Sequence, residues 1–190
     1  MNKKTKLAIF HFAAIAPAMF LVMKAHYVYD NYPQLITSLF FPVNESIWEH
    51  TKLFVLPVMA VFLLVYALYG RKFKNYIPST FLSLIYMPLI SCISFGIYLM
   101  IAKEHHPSSG IIFSCAVLAI GFIVSYIMSI KEKLISRKSS MSIISMVVVF
   151  IAIMAFFTYY PPRADWLKWL FMDGENMSYG ILKFICQIFY

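Results

Sequence analysis

Along the chain, long apolar runs alternate with short polar connections. The runs cover residues 7–29, 53–69, 77–102, 110–130 and 141–160. Each is long enough to cross a hydrocarbon core of ~30 Å at ~1.5 Å per helical residue. Lipid offers the backbone no hydrogen-bond partner, so each run must satisfy its own amides as a helix. A transmembrane barrel needs alternating apolar and polar positions, and a stretch such as MSIISMVVVFIAIMAFF does not alternate. The pattern predicts an all-α fold: a polytopic membrane helical bundle of about five transmembrane helices, forming one integral membrane domain over residues 1–190.

Two apolar stretches are too short to span. Residues 35–43, LITSLFFPV, are expected to dip into the interface or pack as a re-entrant segment, and residues 181–190 either to dip back or to lie flat. Between them in sequence, the Pro161–Pro162 pair stops the fifth helix near Tyr160 and opens an interfacial tail over 161–190. There Trp166, Leu167, Trp169, Leu170 and Phe171 accompany Arg163, Asp165 and Lys168. Pro17, Pro57 and Pro88 fall within spans, where each removes one backbone donor and is expected to form a packed kink.

Composition agrees with the pattern: 62% of residues are hydrophobic, 13% are charged, and the mean hydropathy is +0.77. The first run lacks a small-residue cleavage site near its end, which reads MKAHYVYD, so it is expected to be a retained span. The net charge of +8 does not indicate nucleic acid, because the basic residues sit in short clusters between apolar runs. Lys3, Lys4, Lys6, Arg71, Lys72, Lys74, Lys131, Lys133, Arg137 and Lys138 fall on one side with a single acid, Glu132. The other side holds Lys24, Lys52, Lys103, Arg163, Lys168 and Lys183 against Asp30, Glu45, Glu49, Glu104, Asp165, Asp173 and Glu175. Positive-inside topology then predicts a cytoplasmic N-terminus and an external C-terminal segment. Cys92, Cys115 and Cys186 have neither CxxC spacing nor polar surroundings, so they provide no disulfide framework and no zinc motif.

Against this background the stretch PVNESIWEHTKL, residues 42–53, is unusually polar. Asn44 is the expected N-cap of a helix starting at Glu45, with Glu45 and Glu49 at the positive end of its dipole. At 100° per residue Glu45, Glu49 and Lys52 share one stripe, Ser46 and His50 an adjacent one, with Trp48 to the side. A capped helix entering the bilayer, with a Glu49–Lys52 pair and Trp48 as interface anchor, accounts for every residue type without chemistry. Yet ionisable groups at headgroup depth are costly unless they face protein or a water-filled cavity. Topology brings possible partners to the same side: Lys24, His26 and Asp30; Glu104, His105 and His106; and Asp165, Asp173 and Glu175. His11 lies about one turn into the first span and is expected to bond a neighbouring helix.

Two stretches carry a family resemblance: FPVNESIWEHTKLFVLP, and FTYYPPR followed by LFMDGENMSYGI. They resemble an uncharacterised family of small bacterial multi-pass membrane proteins, a domain of unknown function with an N-E-S-x-W-E-H-x-K motif. Asn44, Glu45, Ser46, Trp48, Glu49, His50, Lys52, Pro161, Pro162, Asp173, Tyr179 and Gly180 carry the match. Where that family usually has a D-P turn before Y-G, this chain has Asp173–Gly174. The resemblance marks residues and implies no activity.

Three functions fit. The first is a site on the outer face that binds a small molecule, lipid headgroup or protein partner through Asn44, Glu45, Ser46, Trp48, Glu49, His50, Lys52, Arg163, Asp173 and Tyr179; a binding site needs only a few placed polar groups. The second is a membrane-embedded metal-dependent hydrolase or transferase, with Glu45, Glu49, His50, Asp173 and His26 as candidate ligands of a divalent ion and Lys52 or Arg163 receiving an anionic group. The third, a small-solute transporter, draws on the span prolines and serines but lacks an acid at the centre of any span. No HExxH, G-x-S-x-G or Walker motif is present.

Overall fold

The computed structural model describes residues 1–102, 107–131 and 135–172. Among them the chain forms α1 (Lys3–His26), α2 (Val28–Asn31), α3 (Leu35–Phe40), α4 (Ile47–His50), α5 (Leu56–Leu68), α6 (Tyr76–Ala102), α7 (Pro107–Ser129), α8 (Arg137–Tyr159) and α9 (Lys168–Phe171), with no strand. Short 3-10 turns occupy Thr51–Phe54, Gly70–Lys72 and Asp165–Leu167. Five segments of the described chain are long and apolar enough to cross a membrane: Lys3–His26, Ile47–Leu68, Tyr76–Tyr98, Gly110–Ser129 and Arg137–Tyr159.

The second of these departs from expectation. Its first turn is α4, which tightens into the 3-10 turn Thr51–Phe54, and regular helix resumes only at Leu56. Pro57 therefore sits in the first turn of α5, where its missing N–H costs nothing, and does not kink a continuous helix. Pro17 and Pro88 do lie inside α1 and α6. The first span also ends earlier than the apolar run, because Tyr27 leaves helical geometry and α2 turns away.

Asn2 caps α1 by accepting the Lys4 amide at 2.8 Å. The buried face of α1 reads Leu7, His11, Ala14, Ala18, Val22 and Ala25, a spacing of three or four that keeps one side inward. Its small residues let α5 approach with Val58, Val61, Phe62 and Val65, the packing that holds helices together where lipid removes any hydrophobic drive between them. α6 packs against both α7 and α8. Gly121 of α7 makes the closest approach, since a Cβ there would fall 1.7 Å from Met87 Cε and 2.7 Å from Met87 Sδ.

Hydrogen bonds tie the basic connections into one end of the bundle. Asn75 donates to the Lys131 carbonyl at 3.0 Å and accepts from the Ile135 amide at 2.9 Å, and Tyr126 reaches the Lys4 carbonyl at 3.3 Å. His11 is fully buried near this end, among Phe62, Tyr76, Phe122 and Tyr126, with Nε2 3.5 Å from the Ser125 hydroxyl. At the opposite end α3 packs on α8 and α9 packs on α4 and α6, with Trp169 over Gly96. The segment 35–40 is thus a short helix resting on the fifth span, with Leu35 and Ile36 exposed.

Gly121→Val is expected to lower stability in detergent by about 1–3 kcal/mol through overpacking. Adding Met87→Ala should recover part of that loss, read as the midpoint of chemical or thermal unfolding.

Candidate functional site

Local backbone chemistry divides the polar stretch into two groups. Asn44 accepts the Ser46 amide at 3.0 Å, a turn made by its own side chain, and Ser46 in extended geometry accepts the Glu49 amide at 3.3 Å. Ser46 is therefore the N-cap, in place of the expected Asn44, and the helix begins at Ile47. That start leaves Glu45 outside the helix and off the stripe it was expected to share with Glu49 and Lys52.

Glu49 and Lys52 turn inward, each side chain only 2% exposed and joined by a 2.7 Å ion pair. The Lys52 ammonium donates its three hydrogens to the Ser38 carbonyl at 2.7 Å, the Phe41 carbonyl at 3.3 Å and Glu49 Oε2. Glu49 Oε2 also accepts the Val43 amide at 3.1 Å, while Oε1 accepts the Thr158 hydroxyl at 2.9 Å. Both charges are saturated by hydrogen bonds, the condition under which an ion pair survives burial. Lys52 has no hydrogen left to donate, and Glu49 is buried with both oxygens engaged, so the pair is closed to solvent.

His26, Glu45 and His50 form the second group, with side chains 26%, 44% and 31% exposed. His26 Nε2 lies 3.5 Å from Glu45 Oε1, and His50 Nε2 lies 3.3 Å from Glu45 Oε2. The two imidazole rings are 5.0 Å apart. One donor atom from each residue falls within 4.8 Å of the others. His50 Nδ1 stands 2.9 Å from the Ser46 carbonyl, which can only accept, so Nδ1 carries a hydrogen and Nε2 turns toward Glu45. The first group contains neither His26 nor His50, and the second excludes Glu49, so the candidate ligands converge only in part.

The remaining candidates are placed differently. Trp48 packs between Phe157 and Phe171 at 5.4 and 5.0 Å, and its buried Nε1 has no hydrogen-bond partner among the described residues. Arg163 is exposed, and Lys24 lies over the Phe20 ring. Asp173, Tyr179, Gly180 and Glu175 fall outside the described residues, as do Glu104, His105 and His106. Near the ion pair, Tyr29 is held above its usual pKa by burial and by the neighbouring Tyr159, Glu49 and Asp30. In the tail, the hydrogen bond and charge of Lys168 hold Asp165 below the usual carboxylate range.

Three participants carried no signal in the sequence. Thr158 and the Ser38 carbonyl meet the Glu49–Lys52 pair only because α3 and α8 pack together, and Tyr159 bonds the Ser38 hydroxyl at 2.5 Å. Serine and threonine are frequent in these spans, and nothing local distinguishes the ones that matter.

A family model described as a family of unknown function (DUF6512) matches residues 1–181, and the chain belongs to that family. No curated protein and no solved structure matches it.

Removing one partner of the buried pair strands the other charge. Glu49→Ala should destabilise the protein by about 3–5 kcal/mol. Glu49→Leu combined with Lys52→Met should cost less than the sum of the two single changes, a non-additivity measurable as a double-mutant cycle in detergent unfolding.

Proposed function

We propose that this member of the DUF6512 family is an integral membrane protein that works by binding a small ligand at the end of the bundle built from His26, Glu45 and His50. One observation carries the reading: beside the buried Glu49–Lys52 pair, His26, Glu45 and His50 form a partly exposed triad in which one potential ligand atom from each residue lies within 4.8 Å of the others. Such a convergence attracts a cation or a strong hydrogen-bond donor. Exposed Tyr27, Tyr32, Tyr160 and Trp166 support an interfacial depth for the triad, where a solute or a lipid headgroup can reach it.

The charge distribution supports an external location for the triad, across a bacterial inner membrane from the basic connections. The transporter reading draws less support. Between His26 and His11, the inward face of α1 is the apolar series Ala14, Ala18, Val22 and Ala25 against α5.

Glu45→Gln and His50→Gln are expected to leave unfolding within about 1 kcal/mol of wild type, as changes at partly exposed positions do, in contrast to Glu49→Ala. A thermal-shift panel of divalent metal chlorides, ethanolamine and phosphocholine should include at least one ligand that raises the wild-type midpoint by roughly 5–10 °C at saturation. The two variants should lose that response. Collapse of both variants to the level of Glu49→Ala, or a panel without effect, would overturn the binding reading. Orientation is checked separately in a cysteine-free background: Lys72→Cys should resist an impermeant thiol reagent in intact cells, and Tyr32→Cys should label.

A further inference from the structure

We infer that the ligand of this triad is a divalent first-row transition-metal ion, held by His26 Nε2, a carboxylate oxygen of Glu45 and His50 Nε2. The inference rests on the binding reading above and narrows it to one chemistry.

Because the Ser46 carbonyl takes the hydrogen on His50 Nδ1, a neutral His50 presents a lone pair at Nε2. That lone pair points at Glu45 Oε2 at 3.3 Å, where a proton or a metal ion joins the two groups. His26 Nε2 points at the other Glu45 oxygen at 3.5 Å, so protons and a metal ion compete for the same contacts. A single metal ion replaces the protons and meets one donor atom of each of the three residues at once.

Distances agree with this. Ligands bound at ~2.0–2.1 Å in tetrahedral geometry stand about 3.3–3.4 Å from one another. The two nitrogen-to-oxygen separations are 3.3 and 3.5 Å. An ion therefore enters with little movement of Glu45 relative to either ring, and the third edge closes by turning the His26 and His50 rings, whose donor atoms already lie within 4.8 Å.

The donor set selects the class of ion. Two imidazoles and one carboxylate suit zinc, manganese, iron, cobalt or nickel, whereas magnesium and calcium take oxygen ligands. The described thiols, Cys92 and Cys115, lie in α6 and α7 and have no place in the triad. His50 also has the support that metal-bound histidines usually have, its second nitrogen donating to a backbone carbonyl. On His26, Nε2 is the nitrogen turned toward Glu45, at 3.5 Å from Oε1. Three protein ligands with partial exposure leave at least one coordination position for water or an incoming oxygen, the arrangement of an exchangeable site and not of a closed structural one. The ion would also join the last residue of α1 to the last residue of α4 and to Glu45, just before the α4 cap.

The test uses the full chain in detergent, purified on an affinity tag that needs no immobilised metal. Elemental analysis should find close to one first-row transition metal per chain, or the chelator-stripped protein should bind Zn²⁺ or Co²⁺ at one site with a dissociation constant below ~10 µM. Affinity should fall at least tenfold in Glu45→Gln, in His26→Gln and in His50→Gln, and stay unchanged in Lys138→Ala. If the triad variants fail to fold, wild-type protein loaded with Cu²⁺ decides, because pulsed electron paramagnetic resonance should report the remote nitrogens of two imidazoles. Stripped protein that binds none of Zn²⁺, Co²⁺ or Mn²⁺ at 100 µM, or a Cu²⁺ spectrum without two imidazoles, would overturn the inference. Should ethanolamine or phosphocholine alone produce the thermal shift, the metal is refuted while the binding centre stands; with no response to any ligand, both fall.

Discussion

An ammonium buried at one end of a helical bundle must place three hydrogens on three acceptors, and the Lys52 side chain does so across a connection that would otherwise lack regular support. Two of those acceptors, the Ser38 and Phe41 carbonyls, belong to the last turn and cap of α3, where helical carbonyls have no partner within the helix. Lys52 is thus a C-terminal cap for α3 as well as the counter-charge of Glu49. Glu49 in turn accepts the Val43 amide on the way back from α3 and the Thr158 hydroxyl from α8. Four segments of chain meet around one ion pair. A six-residue helix of low intrinsic stability gains its position from that pair and from the Ser38–Tyr159 bond.

The same constraint places the triad. With Glu49 and Lys52 directed inward, the single turn Ile47–His50 has its rotation fixed, and His50 emerges on a different side. Ser46 then does two things: its hydroxyl caps the turn at the Glu49 amide, and its carbonyl takes the hydrogen of His50 Nδ1. Glu45 precedes the cap in non-helical backbone and meets both imidazoles. The geometry of the triad is therefore anchored by a buried pair that is not part of it.

How much of this could be read in the residues depends on the distance over which each feature is determined. The five spans follow from run length and backbone satisfaction alone, and they are all present. The Glu49–Lys52 pair is a local i, i+3 relation and was also legible. The cap was misjudged between two adjacent candidates, because both Asn44 and Ser46 accept an amide and only the folded backbone decides which of them starts the helix. That two-residue difference removed Glu45 from its expected stripe. The acceptors of Lys52 on α3 and of Glu49 on α8 lay beyond reach, since backbone carbonyls have no signature in sequence and Thr158 resembles every other hydroxyl in the spans. His26 could be grouped with Glu45 and His50 by topology, but not its separation from them.

Counting donors against acceptors separates the two charged groups more sharply than charge or burial does. Around Lys52 three hydrogens meet three acceptors, and the Glu49 oxygens receive an amide and a hydroxyl besides, so nothing further is needed. Around Glu45 two imidazole nitrogens approach one carboxylate, and the hydrogen on His50 Nδ1 is already taken by Ser46. Burial alone draws attention to Glu49 and Lys52, the more buried of the two groups. Pairing adds that these two already hold one another and their neighbours, whereas the His26, Glu45 and His50 side chains keep a quarter or more of their surface in the open.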